Sequence, residues 1–262
     1  MSASFDAAAP PVLSPEQLKI QEQRKSDRQR RQQRLGDERR QQLLDTAWSL
    51  WKEEGAAGFN MRQLGQRAGY TAGALYAYFP GREAILSALQ QRVIHELGEL
   101  VRAVKVSRPE RGTRARREGA QAMAGQAMQA RGLFVERSRA WWSCLATDGQ
   151  RLQLVLHGGH GQEEGAGVAS LLPARLADAL QPCLDALNAS GLPVDVAQQV
   201  HDEVLAYGLG LLVLGPGRPD ARAAMETRFV QSLHRWLDVA LAAVPAGKLA
   251  QGGGQGDLFG AG

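Results

Sequence analysis

The sequence predicts an all-α protein of two domains, and three observations predict it. Apolar residues recur at helical spacing, as in Ala174, Leu176, Ala177, Leu180, Leu184 and Leu187 and in Phe229, Val230, Leu233, Trp236, Leu237 and Leu241, with no sustained period-two alternation. In the first third of the chain such runs open on Asn or Thr and close on Gly or Pro, the residues that start and stop helices. The chain of 262 residues is too long for one small helical domain, so a second domain of about 150 residues is expected.

The elements follow in order. Residues 1 to about 15 are rich in Ala, Pro and Ser, and residues 1–36 are expected to form a disordered basic arm. Between Arg24 and Arg40 eight cations stand against Asp27, Asp37 and Glu38, a net +5 in a chain whose total is +4. A solvated tail is one reading of that run; its place just before the first compact helices favours contact with phosphate. A helix is predicted over about 37–54 from the stripe Leu43, Leu44, Ala47, Leu50 and Trp51, stopped at Glu54-Gly55, with Phe59 then entering the core. Asn60 is a good N-cap, with Gln63 placed to reach back in a capping box, so a short helix opens at about Met61. Met61, Leu64 and Ala68 lie on one face and Gly69 ends it in the left-handed conformation. Thr71 caps a further helix carrying Ala74, Leu75, Tyr78 and Phe79 before Pro80-Gly81, and Arg82 and Glu83 open another that runs to about residue 105.

Two short helices joined by a tight turn make a helix-turn-helix, which points to double-stranded DNA. Its second helix would enter the major groove with Thr71, Ala72, Gly73, Ala74 and Ala77 nearest the base edges. That set offers one hydroxyl and no bidentate donor, so thymine methyls are its expected contacts. The basic arm would then add affinity, with an adjacent minor groove as its expected seat.

Residues 39 to 86 resemble the DNA-binding domain of the tetracycline-repressor (TetR) family of bacterial transcription regulators. Gly69, Gly73, Leu75-Tyr76, Tyr78-Phe79 and Glu83-Ala84-Ile85-Leu86 stand where that family's signature stands. Leu64-Gly65 replaces the usual Ile-Ala, Tyr70 a small aliphatic residue and Arg82 a lysine, and none of these removes a donor to phosphate. Gly65 inside a helix costs about 1 kcal/mol relative to Ala and implies close backbone packing there. The resemblance implies a DNA-binding domain at 37–84, with Tyr76, Tyr78 and Arg82 on phosphates and Leu75 and Phe79 in the core. Arg39, Arg62, Thr71, Ala72, Gly73 and Ala74 complete the expected DNA-binding set, with Arg67 a weaker candidate. For Tyr78 a half-buried aromatic is the equal alternative.

It implies further that residues 85–244 bind a small-molecule effector and dimerise; residues 245–262 read from their composition as a flexible Gly-rich tail. The protein would be a repressor that binds a pseudo-palindromic operator as a homodimer and is released when a ligand changes the spacing of its reading heads. The pairing helices would run from about Val194 to Leu214 and from about Asp220 to Val244. Val204, Tyr207, Leu211, Phe229, Leu233, Trp236 and Leu237 would lie at the interface, and Gly208 and Gly210 would permit close helix approach. The protomer's own core is the other use of those faces.

Gly119 to Ala130 combines small residues with adaptable methionines, and an apolar or aromatic ligand lined by Met123, Met128, Phe134, Trp141 and Trp142 is expected, against ordinary core packing. Cys144 and Cys183 form no metal-ligand pattern and read as structural thiols, with a redox pair as the alternative. His157, His160, Glu163 and Glu164 have usable metal spacing, but the glycines among them predict a solvated loop without the fixed surroundings that ligands need. No metal or other cofactor is expected. No Ser-His-Asp set, phosphate loop or paired carboxylates can be placed in a fixed context, so no enzyme is predicted. The longest strongly apolar stretch, Val204 to Leu214, falls short of the ~20 residues a membrane span needs, and no signal peptide is read at the start. A cytoplasmic, nucleoid-associated bacterial protein is expected. The alternatives are a constitutive DNA-binding protein without an inducer and a metal-dependent helical enzyme.

Overall fold

The computed structural model describes residues 15–106, 120–157, 174–215 and 219–244, and the regular elements among them are all α-helices. They are α1 (Pro15–Gly58), α2 (Met61–Ala68), α3 (Ala72–Tyr76), α4 (Arg82–Ala103), α5 (Ala120–Thr147), α6 (Gly149–Val155), α7 (Ala174–Asn188), α8 (Val194–Leu214) and α9 (Pro219–Ala243). The chain divides into two compact units between Arg82 and Glu83.

In the first unit α1 is much longer than its apolar stripe. The expected disordered arm is helical from Pro15 onward, and residues 1–14 lie outside the described residues. The physical reason is composition: from Glu16 to Leu35 there is no Gly or Pro, and Gln, Arg, Lys, Glu and Leu are strong helix formers. The buried half at Leu43, Leu44, Ala47, Leu50 and Trp51 supplies a nucleus from which the exposed half extends. The regular helix breaks at Gly55 (φ 63°, ψ −167°), where the stop was expected, and closes one more turn before Phe59.

Phe59 meets Trp51 edge-on at 6.2 Å, and Leu64, Leu75 and Phe79 complete this core, all fully or nearly fully buried. At the start of α2 the Asn60 side chain accepts the Gln63 backbone N–H at 2.9 Å, while its amide nitrogen donates to Gln63 Oε1 at 2.6 Å. Gln63 therefore braces the cap through the Asn60 side chain. Gly69 ends α2 at φ 71°, ψ 26°. The packing inferred at Gly65 is tight: a Cβ there would lie 3.0 Å from the Tyr70 carbonyl oxygen and 3.1 Å from Leu75 Cδ1. Thr71 caps α3, which ends at Tyr76, three residues short of the expected Phe79. A tight turn replaces the last part, with the Tyr78 and Phe79 N–H groups both donating to the Leu75 carbonyl at 3.0 and 2.9 Å.

The second unit is organised around α5, which packs on α6, α7, α8 and α9. Its Trp141 and Trp142 flank Phe229 of α9 at 5.6 and 5.5 Å, and Tyr207 of α8 stacks on the same ring at 6.5 Å. The Trp142 indole N–H donates to the Gly208 carbonyl at 3.1 Å. A Cβ on Gly208 would sit 2.5 Å from Trp141 and 2.9 Å from Phe229, so the close approach expected of this glycine is to the protomer's own aromatic core. The same holds for most of the expected dimer face. Val204, Phe229, Leu233 and Leu237 are buried within the protomer, while Tyr207, Leu211 and Trp236 stay partly exposed. The large apolar side chains left exposed on these helices are others, Val194, Val213 and Leu214 on α8 and Val239 on α9.

Candidate nucleic-acid interface and effector unit

The second helix of the helix-turn-helix, α3, is held by a buried Leu75 and by the Thr71 cap, whose hydroxyl accepts the Ala74 N–H at 3.3 Å. Thr71, Gly73, Tyr76 and Ala77 are exposed, Tyr76 to 54%, and Ala74 is half-buried. Ala72 opens the helix. This face offers hydroxyls, a methyl and bare backbone, a surface suited to thymine methyls and phosphate oxygens.

Tyr78 is half-buried and serves as a structural hub. Its ring meets Tyr70 edge-on at 6.1 Å. The Arg40 guanidinium donates to its carbonyl at 2.8 Å and lies 4.2 Å over the Phe79 ring. Arg39 is fully exposed, and its hydrogen bond to the Tyr78 side chain, followed by the electrostatic effects of Tyr78 and Tyr70, raises its pKa above the ordinary arginine value. Arg39 therefore stays cationic beside the turn that follows α3.

Arg82, implied as a phosphate contact, donates from Nε to the Phe59 carbonyl at 3.1 Å and from Nη2 to the Ala56 carbonyl at 2.7 Å. It holds the segment that follows the Gly55 break, and those two donors face protein carbonyls. Arg62 is exposed on α2, whereas Arg67 is paired with Glu53 at 2.5 Å, tying α2 to α1. Sequence reasoning missed Arg40 and Glu53 as the ties of this unit. Arg40 could have been found, because it lies three and four positions before Leu43 and Leu44 on the core side of α1.

Cavities open in the second unit among the described residues. One, of about 200 Å³, is lined by Trp142, Leu145, Leu152, Leu212, Arg222 and Met225 together with small residues. Another, of about 510 Å³, lies against the end of α4 and against α5, with Arg102, Lys105 and Arg137 beside Val104, Val106 and Leu133. Of the expected ligand lining, Trp142 borders the first cavity, and Phe134 and Trp141 are buried in the core. Met123 and Met128 are 63% and 75% exposed on the solvent side of α5, so the five residues are not brought together.

Cys183 is buried, and burial pushes its thiol up to about 12, while Cys144 is half-buried. His157 Nε2 lies 3.2 Å from Glu83 Oε2. His160, Glu163, Glu164 and the tail 245–262 lie outside the described residues. Among the described residues no group of three or more His, Cys, Asp or Glu is placed to hold a metal ion, and no helix is long and apolar enough to cross a membrane.

Residues 43–89 match the model of the tetR family of bacterial regulatory proteins. No curated protein matches the chain. Among solved structures it is similar to a TetR-family transcriptional regulator of Streptomyces coelicolor, with a TM-score of 0.53 and 18% identity over 79% of this chain and 83% of that one. It is similar also to a transcriptional regulator of Rhodococcus sp. Rha1, with a TM-score of 0.51 and 17% identity over 79% of this chain and 99% of that one. At such identities the likeness shows the fold alone, and the family match rests on residues 43–89. Residues 43–89 therefore form a DNA-binding domain of the tetR type, in a chain whose fold is that of these solved structures.

Proposed function

We propose that this DNA-binding regulator is a homodimeric repressor that reads a pseudo-palindromic operator with α3 and leaves it when a small molecule binds the second unit. The observation that carries the reading is the exposed face of α3, Thr71, Gly73, Tyr76 and Ala77, presented on a buried three-helix scaffold and flanked by the cationic Arg39. Such a face gives register through phosphates and discrimination through methyl contacts. Arg62, Ala72, Ala74 and Tyr78 stand with it as proposed contacts. For Arg82 the carbonyl bonds favour a supporting role.

Dimerisation is supported by apolar residues left without cover. Ala206, Gly210, Val213 and Leu214 follow one row of α8 at helical spacing, and Val213 and Leu214 are 56% and 86% exposed. Val239 adds a further exposed apolar side chain on α9. Effector binding is supported by the mostly apolar cavity at Trp142 and by the larger cavity beside α5, whose volume falls in the usual range of small-molecule sites.

Selection of bound duplexes from a random pool tests the reading. The expected product is a two-fold symmetric site with half-sites about one helical turn apart. An enriched site without symmetry would remove the dimer, and no enrichment would remove sequence reading. A reporter under that site, challenged with a library of small apolar and aromatic compounds, tests release; repression that no compound lifts favours the constitutive reading.

A further inference from the structure

We propose that the exposed half of α1, residues 15 to about 40, is a helical phosphate clamp that grips duplex DNA beside the site read by α3. The proposal rests on the DNA-binding reading and extends it to a second contact surface. Three observations carry it. The segment is one continuous helix, with no non-helical backbone before Gly55, and it is anchored in the first unit by the buried stripe from Leu43 to Trp51. Its cations between Arg24 and Arg40 are all exposed and give a net +5, more than the whole chain carries. Arg24, Arg28, Arg31 and Arg39 fall on one helical row with Leu35 between the last two, and the adjoining Arg40 donates to the Tyr78 carbonyl at 2.8 Å, just past α3.

Physical chemistry decides what such a helix can hold. Arg24 with Arg28 and Arg30 with Arg34 are like-charge pairs at i,i+4, each destabilising the bare helix by roughly 0.2–0.5 kcal/mol. A polyanion removes that penalty and releases its own counterions, so helix and duplex stabilise one another. Successive members Arg24, Arg28 and Arg31 rise about 4.5–6 Å along the axis, close enough to address a row of phosphates. An amphipathic partner helix or a bilayer would need an apolar face, and Ile20 and Leu35 stand singly, 47% and 51% exposed. The helical form also revises the expected minor-groove seat. A helix with side chains is about 10–12 Å across and the minor groove only about 6 Å wide. The clamp therefore lies along the backbone or in a major groove.

The test uses the full chain carrying Arg24→Gln, Arg28→Gln, Arg31→Gln and Arg34→Gln together, since glutamine preserves the helix while removing charge. Binding to a 40-base-pair duplex containing the selected site is followed against salt. Loss of four phosphate contacts lowers the slope of log K against log salt by about 3.6 and weakens binding more than tenfold at 100 mM salt. A slope within about 0.5 of the wild-type value overturns the clamp. A second variant, Gln29→Pro, keeps every charge and breaks the helix; undiminished affinity overturns the helical form. Phosphatidylserine vesicles serve as the competing polyanion, and tighter binding to them than to the duplex assigns the helix to lipid and overturns the DNA clamp. A wild-type chain that binds no duplex refutes both this proposal and the reading beneath it. If the wild type binds, Thr71→Ser loses sequence preference and the slope of the quadruple variant is unchanged, the clamp alone is refuted.

Discussion

Gly208 concentrates the packing of the second unit in one position. Its missing side chain lets Trp141 and Phe229 approach the α8 backbone, and its carbonyl takes the Trp142 indole proton. Gly208→Ala would place a Cβ at 2.5 Å from Trp141 Cη2, a contact only ring displacement can relieve. The expected cost is about 1–3 kcal/mol despite the better helix propensity of alanine, a fall in Tm of several degrees by thermal unfolding. Gly125→Ala is the control: open space surrounds that position on α5, and stability should hold or rise by up to about 1 kcal/mol. Equal Tm values for the two variants would refute the packing argument.

A second residue-scale consequence concerns Cys183. Burial raises its thiol to about 12 from 9.0, so the native protein keeps it protonated where an unfolded chain ionises it. The sign follows from linkage. The stabilisation tied to the neutral thiol is complete below pH 9 and declines as pH rises towards 12, because only the unfolded state gains a thiolate in that interval. Iodoacetamide at pH 9 should leave Cys183 unmodified in the folded protein and modify it in denaturant; rapid labelling of native Cys183 would contradict its burial. The same protection argues against a redox role for this residue.

At the scale of the element, Thr71 performs two separable tasks. Its hydroxyl caps α3 through the Ala74 N–H, and its exposed methyl belongs to the proposed reading face. Thr71→Ser keeps the cap and removes the methyl, so stability should change by less than about 0.5 kcal/mol. Affinity for the selected site should fall by about 1 kcal/mol, roughly fivefold. Thr71→Val does the reverse, losing about 0.5–2 kcal/mol of stability. Equal DNA affinities for Thr71→Ser and the wild type, by fluorescence anisotropy, would remove the methyl contact. The boundaries of α2 and of the α3 start were legible in the sequence because capping is local: Asn60, Gly69 and Thr71 act within four residues of themselves. The end of α3 was not, because Leu75 accepts both following N–H groups in a turn that apolar spacing cannot distinguish from helix. The exposed half of α1 escaped for the opposite reason, since a helix that buries nothing leaves no period to read.

At the scale of the whole molecule, periodicity locates an apolar face without saying what covers it. Val204, Phe229, Leu233 and Leu237 were legible as a face, but the three aromatic rings around Phe229 claim it for the protomer. The proposed dimer therefore draws on what remains exposed, above all Val213 and Leu214 on α8 with Val239 on α9, beside the partly exposed Tyr207, Leu211 and Trp236. Two kinds of substitution separate these roles. Phe229→Ala empties a core site and should cost about 3–5 kcal/mol, seen as a large fall in Tm whatever the association state. Val213→Glu with Leu214→Glu places charges on exposed positions, where a monomer tolerates them within about 0.5 kcal/mol. In a dimer the same charges would be desolvated without partners, a cost of several kcal/mol that exceeds what most interfaces can absorb. Sedimentation of the double variant should thus show a monomer with unchanged far-ultraviolet circular dichroism, and its binding to a symmetric site should fall to that of a single half-site. A double variant that still sediments as a dimer would place the contact elsewhere, whereas a wild-type monomer would leave the exposed row on α8 without its proposed partner.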